Sequence, residues 1–283
     1  MVELKKDKKS TTWLLSKTDS EGFHRQLHLT EKDFDILVEK WTKVRLRMGI
    51  RVNTIYPAFM GEVNCYGIGV PCTFVRLAGC NLRCYFKTKG TLCDTPEALD
   101  VSSGTEMTAE EIAEQVQKLG NKIICLTGGE PLCQNVHGLL EILSRKNYQV
   151  VVETNGSRSI EEYRCYKNVS FVVDCKSASS GEHKKMLEEN WPLLDKKDYV
   201  KFVIDSWDDY VEAKVWLGSH LGSFKGSLAF GLFWGSEITY QELMAKIIKD
   251  RIPVTLNMQT HKMACLYDRY KDSLEGISIP RSI

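Results

Sequence analysis

A chain of 283 residues can bury a full core as one domain, and α/β barrels routinely reach this length. Its 38 basic residues are balanced by 37 acidic ones, so no bulk field recruits nucleic acid or an anionic membrane surface. Ten cysteines in so large a chain, whose start Met1-Val-Glu-Leu-Lys-Lys lacks an apolar leader core, read as reduced thiols of a cytoplasmic protein, and no apolar run approaches the ~20 residues that span a bilayer.

Residues 1 to about 28 are polar, rich in Lys, Ser and Thr, and predict an irregular or partly disordered lead-in. From Thr30, a predicted N-cap, apolar residues recur at three and four through Phe34, Ile36, Leu37, Val38, Trp41, Val44 and Leu46. Residues 1–50 therefore read as an N-terminal extension carrying one amphipathic helix, which packs on the outside of a domain over 51–283 or offers its stripe to a partner. Phe59-Met60-Gly61-Glu62 reads as a strand end and turn, and 73–77 as an apolar strand interrupted by Arg76. An arginine inside such a strand points to function, because an unpaired guanidinium is rarely buried.

A capping box, Thr108 to Glu111, opens a helix that stops at Gly120. The strand at 122–126 then delivers Thr127-Gly128-Gly129-Glu130-Pro131 to its C-terminal end. The unit repeats: a helix over 136–146, a strand over 149–153 ending in Thr154-Asn155-Gly156, and a strand over 171–175 ending in Lys176. Further strands are predicted at 199–205, 227–232 and 254–257, with a second box at Thr239 to Glu242. This alternation predicts an α/β fold with a parallel sheet, whose polar strand ends gather on one face.

Three cysteines, Cys80, Cys84 and Cys93, with three and eight residues between them, stand on a glycine-containing loop after the strand at 73–77. Three thiolates can hold three corners of a 4Fe-4S cube and leave one iron open to another ligand. The same thiols would make a zinc-stabilised binding module if Cys65 or Cys72 supplied a fourth ligand; otherwise those two read as small packing residues. In the Thr127-Gly-Gly-Glu segment, successive glycines let backbone approach a ligand, and Glu130 can accept hydrogen bonds from a cationic amine.

The run Phe74-Val-Arg76-Leu-Ala-Gly79-Cys80-Asn-Leu-Arg-Cys84, then Cys93-Asp94-Thr95, together with Thr127-Gly-Gly-Glu-Pro131, resembles the radical S-adenosylmethionine enzymes, and more narrowly the 7-carboxy-7-deazaguanine synthase family. The resemblance covers about 53–262 and implies a partial, open (β/α) barrel of about six strands. It implies a 4Fe-4S cluster on Cys80, Cys84 and Cys93, whose open iron is chelated by S-adenosylmethionine. The reduced cluster would split the sulfonium, and the resulting 5′-deoxyadenosyl radical would start ring contraction of 6-carboxy-5,6,7,8-tetrahydropterin to 7-carboxy-7-deazaguanine with loss of ammonia, on the way to queuosine or related deazapurines. Phe86, Gly128, Gly129, Glu130, Asp174 and Lys176 would bind S-adenosylmethionine. Phe59, Met60, Gly61, Glu62, Arg76, Thr127, Gln259 and His261 would bind the substrate, and Thr95 a magnesium ion on the substrate's carboxylate. A homodimer and a flavodoxin- or ferredoxin-like electron donor are implied as well.

The chain departs from the family pattern in places. Six extra residues separate Cys84 from Cys93, so Leu92 stands where an aromatic residue usually precedes the third cysteine, and Tyr85 or Phe86 is expected to replace it. Met60 and Val63 stand where the family has Gln and Gly, and Asp174 stands where it has Ser. The rival within the same chemistry is an activase that installs a glycyl radical on a partner protein. It would share the cysteines and the Gly-Gly-Glu segment and have no need of Thr95 or Arg76.

Overall fold

The computed structural model describes residues 2–6, 12–18, 24–33, 35–36, 49–86, 90–220 and 224–260. The chain divides into two compact units, Met1–Met48 and Gly49–Ile283.

The first unit contains order where an irregular lead-in was expected. Strands β1 (Val2–Lys6), β2 (Thr12–Thr18) and β3 (His24–Thr30) form an antiparallel sheet in that order. Its register aligns Leu4 with Leu15, Leu15 with Leu27, and Trp13 with Leu29. The apolar positions recur with period two, a signal that the high Lys, Ser and Thr content hides. The predicted cap at Thr30 is present: its hydroxyl accepts from Asp33 N at 3.1 Å, while the Asp33 carboxylate accepts from Thr30 N at 3.3 Å. Backbone is helical at 31–33 and 35–36, and Ile36 is exposed. Phe34, Leu37, Val38, Trp41, Val44 and Leu46 lie outside the described residues.

The second unit is built on β4 (Ile50–Phe59), β5 (Pro71–Leu77), β8 (Thr105–Met107), β9 (Ile123–Gly128), β10 (Gln149–Thr154), β11 (Val169–Cys175), β12 (Tyr199–Ile204), β13 (Ser227–Leu232) and β14 (Thr255–Asn257). They form one nine-stranded sheet in the order β14-β13-β12-β11-β10-β9-β5-β4-β8. From β5 to β14 every pairing is parallel, while β4 is antiparallel to both β5 and β8. The sheet ends at β14 and β8 without joining them, so the barrel is open. It carries more strands than the six or so expected: seven are parallel, and the antiparallel β4 and β8 extend one edge.

Helices α1 (Ala109–Leu119), α2 (His137–Arg145), α3 (Trp207–His220) and α4 (Tyr240–Asp250) connect the parallel strands. Both predicted capping boxes form, at Thr108/Glu111 and Thr239/Glu242, and Gly120 ends α1 in the left-handed region. On α1 the buried residues Ala109, Ile112, Ala113 and Val116 recur at three and four, the stripe that seats it on the sheet. The larger core lies between helices and sheet, including Ile112, Leu126, Leu140, Val152 and Phe230. A smaller apolar cluster of Met60, Cys72, Cys125, Val151 and Val172 closes the inside of the barrel at one end. On β9, β10 and β11 the inner face turns polar two residues on, from Cys125, Val151 and Val172 to Thr127, Glu153 and Asp174. That switch leaves room for a site. Among the described residues no helix is long and apolar enough to cross a membrane.

Candidate active site

Two loops meet at the C-terminal ends of β5 and β9. Gly129 N donates to Leu77 O at 3.0 Å and Glu130 N to Gly79 O at 2.9 Å, while Gly79 N donates to Ala98 O at 2.8 Å. A Cβ on Gly129 would lie 2.4 Å from Gly79 O and 2.6 Å from Ala98 O, and one on Gly128, where φ is +139°, would lie 2.1 Å from Leu77 O. The paired glycines are therefore required first by the approach of the cysteine loop, rather than by a ligand.

The additional residues between Cys84 and Cys93 make a small hairpin, β6 (Tyr85–Phe86) against β7 (Thr91–Leu92), with Tyr85 opposite Leu92 and Phe86 opposite Thr91. Cys93 N donates to Cys84 O at 3.1 Å, so the hairpin returns the third cysteine to the side of the second. Phe86 turns inward, 6 % exposed and stacked on Phe233 with ring centroids 3.8 Å apart, whereas Tyr85 is exposed. Cys80, Cys84 and Phe86 pack into one cluster with Leu82 and Phe233. Burial pushes all three thiols up, Cys93 to about 12, and the Lys176 ammonium pulls each of them back toward the thiolate.

Beside these loops opens a cavity of about 210 Å³, lined by Cys84, Cys93, Thr95, Gly128 and Gly129 on one side and by Phe59, Gly61, Glu62, Arg76 and Gln259 on the other. Asp174, Lys176 and Lys201 line it from β11 and β12. Lys176 Nζ meets Asp174 Oδ2 at 2.9 Å, and Lys201 Nζ bridges Asp174 Oδ1 at 3.0 Å and Glu62. Burial works against the Asp174 carboxylate, but Lys176 and then Lys201 outweigh it and hold its pKa at about 2. Glu153, accepting from Thr127 Oγ1 at 2.9 Å, is pushed up by burial and by the Glu62 charge.

Arg76 donates from Nη2 to Tyr56 Oη at 3.3 Å. Among the described residues its Nε, Glu97 Oε2 and Gln259 Oε1 are buried with no hydrogen-bond partner, and all three residues line the cavity. Buried polar groups without partners are uncommon in finished folds, and here they share the wall of one cavity. Burial opposes the Arg76 charge, yet Tyr56, Glu97 and Glu153 keep the guanidinium pKa raised.

Residues 75–213 match the Radical SAM superfamily. The 7-carboxy-7-deazaguanine synthase of Koribacter versatilis is 32 % identical over 228 residues, covering 75 % of this chain and 96 % of the relative. That of Chlorobaculum tepidum is 33 % identical over 217 residues, covering 75 % and 93 %. The chain belongs to the 7-carboxy-7-deazaguanine synthase family. The crystal structure of QueE from Escherichia coli has the same fold, with a TM-score of 0.59 at 18 % identity over 76 % of this chain and 95 % of that one. Both the comparisons and the open sheet agree with the radical S-adenosylmethionine barrel expected from the sequence.

Membership of this family implies a 4Fe-4S cluster and S-adenosylmethionine, and the donor set fits them. Among the described residues no three His, Cys, Asp or Glu side chains gather about a point where a single ion would sit. A cube takes one thiolate per iron and needs no such convergence. The two cysteines that a zinc site would borrow are elsewhere: Cys72 is fully buried in the cluster at the closed end, and Cys65 donates to Ser170 Oγ at 3.3 Å.

Of the residues expected in this family's site, Phe59, Gly61, Glu62, Arg76, Phe86, Cys84, Cys93, Thr95, Thr127, Gly128, Gly129, Asp174, Lys176 and Gln259 line the cavity. Cys80 stands just behind it, its Sγ accepting from Leu82 N at 3.4 Å and from Asn155 Nδ2 at 3.6 Å. Two others of the expected residues do not line the cavity. Met60 is 1 % exposed, its N donating to Val70 O at 2.9 Å and its O accepting from Gly69 N at 2.7 Å. Glu130 has no exposed surface and lines no part of the cavity; its carboxylate accepts from Leu132 N at 2.9 Å, Thr154 Oγ1 at 2.8 Å and Asn155 N at 2.6 Å. Burial raises its pKa to about 6, and its bonds to Thr154 and Asn155 tie the loop after β9 to the loop after β10. His261 lies outside the described residues.

Sequence reasoning missed Lys201, Glu153, Asn155, Tyr56 and Glu97. Lys201 carried the same signal as Arg76, a cation in the middle of an apolar strand. Asn155 was visible only as a turn residue, although its side chain reaches Cys80 and Asn81.

Proposed function

We propose that this chain catalyses ring contraction of 6-carboxy-5,6,7,8-tetrahydropterin to 7-carboxy-7-deazaguanine with loss of ammonia. The single observation that carries this reading is the cavity itself, which faces the cysteine hairpin and the Gly128-Gly129 turn with an arginine whose Nε has no partner. When bound, the cluster and S-adenosylmethionine supply the organic radical that begins the rearrangement.

The chain's own residues hold and orient. Cys80, Cys84 and Cys93 bind three irons of the cluster. Gly128, Gly129, Asp174 and Lys176 receive S-adenosylmethionine, with Phe86, stacked on Phe233, as a flat wall for its base. Arg76 binds the pterin carboxylate, a fork-shaped cation suited to a two-oxygen anion. Thr95 would hold a magnesium ion for that carboxylate; its hydroxyl is not used as the cap of the following turn, which leaves the oxygen for a hard cation. Gly61, Glu62, Thr127 and Gln259 meet the rest of the pterin, and Phe59 covers the rim. A homodimer, a flavodoxin- or ferredoxin-like reductant and a cytoplasmic setting complete this reading. The activase alternative gives no reason for Arg76 and Thr95 to face the same cavity.

The test is anaerobic incubation of the reconstituted protein with the carboxylated tetrahydropterin, S-adenosylmethionine, magnesium and a strong reductant. Mass spectrometry is expected to find the ring-contracted product together with 5′-deoxyadenosine. Formation of 5′-deoxyadenosine without that product rejects the substrate.

A further inference from the structure

Lys201 sits in mid-strand on β12, 7 % exposed and level with Asp174 on β11. Its Nζ contacts Glu62 Oε2 and, at 3.0 Å, Asp174 Oδ1. The remaining Glu62 oxygen accepts from Gln259 Nε2 at 2.7 Å, and the remaining Asp174 oxygen meets Lys176 Nζ at 2.9 Å. One bonded row therefore crosses the cavity: Gln259, Glu62, Lys201, Asp174, Lys176.

Two lysines face two carboxylates in that row, and every member lines the cavity. Stability alone is a poor reason for such a row, since well-packed apolar residues of similar size would serve the fold as well or better. The two ends belong to different segments of the site. Glu62 and Gln259 come from the loop after β4 and the segment after β14, whereas Asp174 and Lys176 come from the end of β11 near the cysteines. Lys201 is the sole link between them among the described bonds. Without its ammonium, Glu62 and Asp174 would be left desolvated without their common counter-charge, free to take up protons or to swing apart.

We propose that Lys201 is a positioning residue, one ammonium shared by Glu62 and Asp174 that fixes in a single rigid row the carboxylate meeting the pterin and the carboxylate meeting the nucleoside. The inference rests on the functional reading above and goes beyond it in making both ligand grips depend on one side chain to which that reading gives no ligand.

The test uses the reconstituted full chain without reductant, so that nothing turns over, and reads binding of the carboxylated tetrahydropterin and of S-adenosylmethionine by anaerobic titration. K201A is expected to weaken both ligands by about 30-fold or more, the lower end of the range for truncating one member of a buried charged pair. Added ethylammonium is expected to restore most of that loss, because the missing group is a small cation. If K201A does not fold, the double variant K201M/E62Q removes one charge of each sign and keeps the Lys176–Asp174 pair balanced. Its pterin affinity is expected to match that of E62Q alone within about twofold, since the two changes break one interaction. Wild-type binding of both ligands by K201A, a loss that ethylammonium leaves in place, or losses that multiply in the double variant would each overturn the inference while the wild-type product assay still succeeds. A wild-type protein that neither binds nor converts the pterin overturns the functional reading, and this inference with it.

Discussion

Replacing Gly129 with alanine is expected to strip the protein of its cluster. The new methyl would sit 2.4 Å from Gly79 O and 2.6 Å from Ala98 O, and both are backbone atoms that no rotamer change can withdraw. The loop after β9 would have to move away from the loop that carries Cys80, breaking the bonds from Gly129 N to Leu77 O and from Glu130 N to Gly79 O. Overpacking of this kind usually destabilises by about 1–3 kcal/mol, and a backbone neighbour puts this site at the upper end. The functional loss should be larger than the stability loss, because the displaced element is the cysteine loop itself. Iron and sulfide analysis after reconstitution checks this: a variant that still folds, with a melting temperature lower by about 6–12 °C, and that binds little iron is expected. Normal iron content would show that the glycine pair serves only a ligand.

Arg76→Met should do the reverse, leaving cluster and nucleoside in place and removing the pterin. The guanidinium lines the cavity from β5, and among the described residues its Nε has no hydrogen-bond partner. Truncating one member of a buried charged pair costs about 2–5 kcal/mol, so kcat/KM for the carboxylated pterin should fall by about 30- to 5,000-fold. Unproductive cleavage of S-adenosylmethionine should continue near the wild-type rate. The two activities are measured in one assay by following 7-carboxy-7-deazaguanine and 5′-deoxyadenosine separately. Equal losses in both would place Arg76 with the nucleoside, and no loss in either would remove it from the site.

Much of this architecture was legible in the residues. The alternation of apolar strands with helices gave the parallel sheet, and Thr108/Glu111 and Thr239/Glu242 marked two helix starts to the residue. Arg76 stood out because a cation inside an apolar strand needs a reason. Lys201 carried the same signal, and its meaning depended on Glu62 and Asp174, which reach it from elements 139 and 27 residues away in sequence. Such a row has no local pattern.

Other features escaped for different reasons. The strands of the N-terminal unit alternate with period two inside a polar composition, and composition was the louder signal there. The insertion between Cys84 and Cys93 looked like an interruption of the motif, whereas a hairpin lets the chain leave and return at one point. Gly128 and Gly129 were found for the right loop, yet their Cβ positions are filled by Leu77, Gly79 and Ala98. In the sequence Glu130 is an acceptor for a cationic amine, and its neighbours in the fold, Thr154 and Asn155, leave no local signal. Three chain donors already hold it.

At the centre of the account is a three-cysteine mouth whose cluster keeps one iron open to S-adenosylmethionine. Electron paramagnetic resonance of the anaerobically reconstituted and reduced protein, with iron and sulfide counted on the same sample, addresses it directly. The expected result is about four irons and four sulfides per chain, with a spectrum that shifts when S-adenosylmethionine is added. One tightly held zinc with no cluster, or a cluster whose spectrum S-adenosylmethionine leaves unchanged, would contradict it.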